Sequence, residues 1–146
     1  MDLGHWQAEN LEWDDDATHF VYEISKKEPI EGKPYRYIGQ KTIKRKKKYP
    51  PLKNKTRNRW IEKETDWKRY QSSSKELQDQ IKEFGKESFD FKILKLCYGK
   101  SEANYFETWL QFQKNALFDE SYYNGIINCR IGKFKPHPNQ IMELPD

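Results

Sequence analysis

The sequence predicts an α+β fold: a small three-stranded antiparallel sheet flanked by helices, with a basic insert after the second strand. Three observations carry this reading. Two short segments of period-two alternation lie on either side of a loop containing Pro and Gly, the pattern of an antiparallel hairpin. Two later segments place apolar residues at helical spacing, with a strand-like run between them. Finally, 15% of the 146 residues are aromatic, so a chain with only 35% hydrophobic and 34% charged residues can still build a core from large rings. The length suits one domain.

Residues 19–25 (HFVYEIS) put Phe20, Tyr22 and Ile24 on one face and Val21, Glu23 and Ser25 on the other, which is the first strand. Residues 26–34, with Pro29, Gly32 and Pro34, read as a loop, and residues 35–40 (YRYIGQ) as the second strand. Setting Tyr22 opposite Tyr37 places Ser25 against Pro34 and leaves residues 26–33 to close the hairpin. The insert of residues 41–71 contains Pro50 and Pro51 and cannot be one unbroken helix. Ser73-x-x-Glu76 is a capping-box pattern, followed by Leu77, Ile81 and Phe84 at helical spacing and Gly85 as a stop. Residues 88–98 start with Phe89, Phe91 and Ile93 on one parity and shift to Leu94 and Leu96, a strand with a bulge at the shift. Ser101 is placed to cap a last helix with Ala103, Phe106, Leu110 and Leu117 as its inner stripe. Residues 121–128 form a turn cornered at Asn124-Gly125. The expected organisation is an acidic N-terminal arm (residues 1–16), a domain over residues 17–135, and a proline-containing surface tail (residues 136–146).

The net charge of +4 conceals a segregation. Residues 1–16 carry six acids and no Lys or Arg, whereas residues 41–59 carry ten bases and no acid. Those bases are Lys41, Lys44, Arg45, Lys46, Lys47, Lys48, Lys53, Lys55, Arg57 and Arg59. Such a density of like charge repels itself unless a polyanion or solvent compensates it, and nucleic-acid phosphate is the obvious partner. A solvated loop or a targeting signal is the competing reading. About six phosphate contacts from this stretch would make log affinity fall with log salt at a slope near −5. The acidic arm could be a plain solubilising segment or could fold over the basic stretch. No apolar run approaches the ~20 residues of a membrane-spanning helix, and no signal-peptide pattern opens the chain, so a cytoplasmic location is expected. Cys97 and Cys129 are too few for a disulfide framework and lack the spacing of a zinc site.

Two tyrosines on adjacent strands, in Phe20-Val21-Tyr22 and Tyr37-Ile38-Gly39, combine with Glu107 on the last helix and with Tyr123-Asn124 beyond it. Glu107 neighbours Ala103 and Leu110 at i−4 and i+3, so it stands at the edge of the core. In this order of features, with Ser72-Ser73-Ser74 before Leu77 and Phe84-Gly85-Lys86 before Phe89, residues 18–130 resemble the GIY-YIG nucleases, most of all the small phage-encoded homing endonucleases. The second triplet matches fully, whereas the first has Phe20 and Val21 where the family usually has Gly and Ile.

The resemblance implies hydrolysis of double-stranded DNA at a one-metal site, in the host cytoplasm if the chain is phage-encoded. Glu107 would hold Mg2+ or Mn2+ beside the leaving oxygen, since one carboxylate with waters suffices for such hard cations. Tyr22 would deprotonate the attacking water and Tyr37 would orient the water or the phosphate. A phenol of pKa ~10 is a poor base at neutral pH, so a cation should favour its phenolate, and Lys41 is the candidate. The family's phosphate-clamping arginine falls at Lys47 here; Arg45 is the nearest arginine, with Arg57, Arg59 and Arg69 as alternatives within the longer insert. Tyr70 is the candidate to replace a histidine that the family often has there. The remaining bases, Lys44, Lys46, Lys48, Lys53 and Lys55, would contact DNA, and Asn124 would support the turn before Gly125. A binding-only relative and a basic RNA-binding module remain as alternative readings.

Overall fold

Alternation along the first strand sorts two hydrophobic layers onto opposite faces of one sheet. In the computed structural model, which describes residues 2–127 and 130–145, the elements are β1 (His19–Lys26), β2 (Arg36–Thr42), β3 (Lys44–Tyr49), β4 (Arg59–Glu64), α1 (Lys75–Phe84), β5 (Phe89–Cys97) and α2 (Lys100–Gln113). The order β2-β1-β5 forms the expected three-stranded antiparallel sheet, and β3 and β4 pair as a separate two-stranded ribbon. Phe20, Tyr22 and Ile24 turn to a layer with Trp6, Trp67, Leu77 and Ile81. Val21, Ile38 and Cys97 turn to the other, against Ala103, Phe106 and Leu110 of α2. Cys97 is a buried free thiol, and Cys129 lies outside the described residues.

The β1–β2 register differs from the expected one by two residues. Tyr22 lies opposite Gly39, Ile24 opposite Tyr37, and Ser25 opposite Arg36, so residues 27–35 close the hairpin. A slide of two keeps every side chain on its face, so hydrophobic alternation cannot tell the registers apart. Volume can. The Tyr22 ring lies over the one residue of β2 without a side chain, next to the ring of Tyr37. The bulge expected in β5 is present at Leu94, where the pairing with β1 shifts between Val21 and Tyr22.

Ser74, not Ser73, caps α1, accepting a hydrogen bond from the Leu77 amide. Ser73 is thereby released to face Tyr37. Gly85 ends α1 at φ +87°, a conformation that favours glycine, and its amide donates to the Ile81 carbonyl. Ser101 does not cap α2: Gly99 is the N-cap, and Ser101 sits inside the first turn. Leu117 lies past the helix end and is 40% exposed, so the inner stripe stops at Leu110.

The first residues belong to the fold rather than to a separate arm. Trp6 is buried in the core and donates from Nε1 to the Trp67 carbonyl at 2.6 Å. Gln7 exchanges backbone hydrogen bonds with Phe91 and Ile93 of β5, and Trp13 stacks on Trp67. The tail is also tied down. Buried Glu102 accepts hydrogen bonds from the amides of Tyr98 and His137 and from Gln140 Nε2. Lys95 Nζ donates to the carbonyls of Ile141 and Glu143. Glu102→Ala leaves these donors without their shared acceptor and is expected to cost about 2–4 kcal/mol in urea denaturation. A loss below about 1 kcal/mol would show the strap contributes little.

Candidate active site

β2 is an edge strand, and its two faces carry different chemistry. Tyr37, Gly39 and Lys41 share one face, and Ile38 and Gln40 the other. The ring centroids of Tyr22 and Tyr37 are 6.2 Å apart, and those of Tyr22 and Tyr70 are also 6.2 Å apart. Tyr37 Oη and Ser73 Oγ are within 3.3 Å, at the exposed rim of the cluster. A Cβ on Gly39 would fall 2.5 Å from the Tyr22 hydroxyl, 2.7 Å from its ring carbon and 2.8 Å from the Tyr37 ring. The second half of the Tyr-Ile-Gly triplet therefore makes room for the first tyrosine.

The surroundings of all three phenols disfavour ionisation. Burial pushes the Tyr22 hydroxyl well above the ordinary tyrosine value, with Tyr37, Tyr70 and Glu107 adding to the rise. Burial likewise raises Tyr37 and Tyr70. Lys41, expected to favour a phenolate, is turned elsewhere: its ammonium pairs with Asp66 at 2.8 Å and lies 4.1 Å from the centre of the Tyr70 ring. Tyr22 is placed as a hydrogen-bonding phenol.

Glu107 projects from α2 and is half-buried. Burial lifts its carboxyl above the ordinary glutamate range, with Gln40, Lys100 and Gln111 opposing. Its charge contributes to the raised hydroxyls of both Tyr22 and Tyr37, after burial. Around it, Gln40 Nε2 donates to Asn104 Oδ1 at 2.7 Å and Lys100 Nζ donates to Gln40 Oε1 at 3.1 Å. Gln111 Nε2 donates to the Ile38 carbonyl at 3.3 Å, while its Oε1 is buried and without a partner. Sequence reasoning missed Gln40, Lys100, Asn104 and Gln111. The signal was there in part: positions 100, 104, 107 and 111 recur at helical spacing and carry polar groups beside an apolar stripe.

Asn124 has a different task from the expected turn. Buried, it accepts from the Ile38 amide through Oδ1 at 3.1 Å and donates to the Ile38 carbonyl through Nδ2 at 2.8 Å. It replaces a neighbouring strand at the outer edge of β2, holding the Tyr37–Gly39 segment straight.

The bases divide by place. Arg45, Lys46, Lys47 and Lys48 are exposed on β3, Lys44 is half-buried at its start, and Arg59 is exposed on β4. Lys53, Lys55 and Arg57 are in the exposed loop between them. Arg69 is exposed in a short 3-10 turn and directly precedes Tyr70. Among the described residues no three His, Cys, Asp or Glu side chains gather as a metal cage. A hard cation that keeps most of its waters needs only one carboxylate, and Glu107, half-buried on α2, is a carboxylate that could hold one. A cavity of about 650 Å³ lies between the acidic segment and the tail and includes none of these side chains.

A family model described as "Putative endonuclease segE, GIY-YIG domain" matches residues 6–127. No curated protein and no solved structure gives a significant match to the chain.

Proposed function

The chain belongs to the GIY-YIG endonuclease family, and from that premise we propose that it hydrolyses phosphodiester bonds of double-stranded DNA with Mg2+ or Mn2+, as a homing-type nuclease. The observation that carries the reading is the packing of Tyr22 and Tyr37 from adjacent strands, ring centres 6.2 Å apart, with Glu107 of α2 contributing to the raised hydroxyls of both. In this reading Glu107 holds the cation, which when bound offsets charge on the phosphate and the departing 3′ oxygen. The Tyr22 hydroxyl hydrogen-bonds the attacking water and fixes its approach. Tyr37, backed by Ser73, orients the phosphate from the rim. Because burial disfavours ionisation of Tyr22, the phenol would position the water rather than deprotonate it, and the water's proton would pass to a non-bridging phosphate oxygen or to solvent as the new P–O bond forms and the 3′ oxygen departs.

Arg69 is the best-placed clamp for the scissile phosphate. It adjoins Tyr70, whereas Arg36 is committed to Asp119 and Arg45 lies out on the ribbon. The competing reading is a DNA-binding relative without turnover; the altered first triplet and the pairing of Lys41 with Asp66 favour it. Plasmid DNA incubated with Mg2+, with and without EDTA, decides between them. Linear or nicked products that EDTA prevents, with 5′-phosphate ends at a few recurring positions on sequencing, are expected. Binding without any strand break would overturn the reading, and breaks scattered at random would remove the homing role.

A further inference from the structure

The β3–β4 ribbon has two faces of unlike charge, because cross-strand partners share a face. On one lie Lys44, Lys46 and Lys48 with their partners Glu64, Glu62 and Trp60. On the other lie Arg45, Lys47 and Tyr49 with Lys63, Ile61 and Arg59. The first face is therefore nearly balanced, three cations against two carboxylates, and Lys44 is further engaged by Glu62 at 3.5 Å and by the Asp15 carbonyl. The second face carries four cations and no acid. Among the described residues none of those four is in an ion pair. Three of them surround one ring, with Lys63, Lys47 and Arg59 at 5.3, 5.7 and 5.9 Å from the centre of Tyr49. Four like charges gathered on one face of an exposed ribbon repel one another, and a polyanion removes that cost.

Beyond the ribbon, Lys100 Nζ donates to Gln40 Oε1 at 3.1 Å on the second strand. The first face leads to Asp15, Glu62 and Glu64, which would repel phosphate.

We propose, resting on the DNA-cleaving reading above, that Arg45, Lys47, Arg59 and Lys63 around Tyr49 form the surface that docks on duplex DNA, while Lys44, Lys46 and Lys48 do not. A two-stranded ribbon fits the major groove, which is about 12 Å wide. This surface includes Lys63, which lies outside the basic run, and leaves out three of the four lysines on β3. Four phosphate contacts give a salt slope of about −3.5.

Two triple variants separate the faces at equal net charge: Lys47→Gln/Arg59→Gln/Lys63→Gln and Lys44→Gln/Lys46→Gln/Lys48→Gln. Binding of a labelled DNA duplex is followed across a salt series in EDTA, where no cleavage occurs. The first triple is expected to flatten the slope of log affinity against log salt by about 2.5, and the second by less than about 1. Equal loss in the two, a larger loss in the second, or no duplex binding by the parent protein would overturn the assignment. So would an effect confined to an RNA duplex. If a triple variant melts early, Lys47→Gln and Lys46→Gln singly give the same comparison, about 1 in slope against none. A parent protein that binds through this face yet never cuts plasmid would refute the nuclease reading and leave the docking surface standing.

Discussion

Glu107→Gln is expected to lower Mg2+-dependent DNA cleavage by about a thousandfold or more, leave duplex affinity in EDTA within about twofold, and raise folding stability at neutral pH. The first effect follows from chemistry. The amide retains the shape of the side chain but cannot hold a hard divalent cation as a carboxylate does. The last follows from burial. The folded protein holds the Glu107 proton more tightly than the unfolded chain does, because burial raises its carboxyl above the ordinary range. Stability linked to that proton is present below the ordinary glutamate value and lost as pH rises through the raised one. The variant never pays this loss, so its advantage in urea denaturation should appear at neutral pH and fade in acid. Cleavage by the parent protein should rise over the same pH window as the carboxylate forms. A variant that cuts at the parent rate would remove Glu107 from the site; a variant that is inactive yet less stable at neutral pH would show that the carboxylate is structurally paired instead.

Gly39→Ala is the second large effect. The new methyl would press on the Tyr22 hydroxyl and ring and on the Tyr37 ring at 2.5–2.8 Å. Tyr22 is 1% exposed among Trp6, Phe20 and Tyr70, so its ring has nowhere to withdraw. Overpacking of this kind costs about 1–3 kcal/mol. Moving a substrate-orienting hydroxyl by about 1 Å lowers cleavage on the order of a hundredfold. Gly125→Ala, where an added Cβ meets nothing, is the control and should change stability by less than about 0.5 kcal/mol. Urea denaturation and the plasmid assay read both variants. If Gly39→Ala matches Gly125→Ala in both measurements, the tyrosine pair does not depend on the space over Gly39.

The strands were legible because burial on each face leaves a period-two imprint: Phe20, Tyr22 and Ile24 show it, and so does the parity change at Leu94. Helix α1 was legible through its apolar spacing, but its cap was misplaced by one residue within Ser72-Ser73-Ser74. Three adjacent hydroxyls are equivalent in a sequence, and only the hydrogen bond from the Leu77 amide selects Ser74. The ribbon was less legible. Its basic run reads as a solvated loop because cross-strand partners 10 to 20 residues apart, such as Tyr49 with Arg59 and Lys44 with Glu64, do not register in a local pattern.

By itself the sequence determined the layers, the order of elements and the candidate carboxylate, since these depend on local periodicity and on residue type. Tertiary structure alone decided what surrounds each polar group: Asp66 rather than Tyr22 as the partner of Lys41, Asn124 as a substitute strand for β2, and Trp6 as core rather than arm. The reason is physical. Hydrophobic burial is a sum over many positions and survives one-dimensional reading, whereas a charge or hydrogen bond is governed by whichever single partner stands within about 3 Å, and that partner is set by the fold.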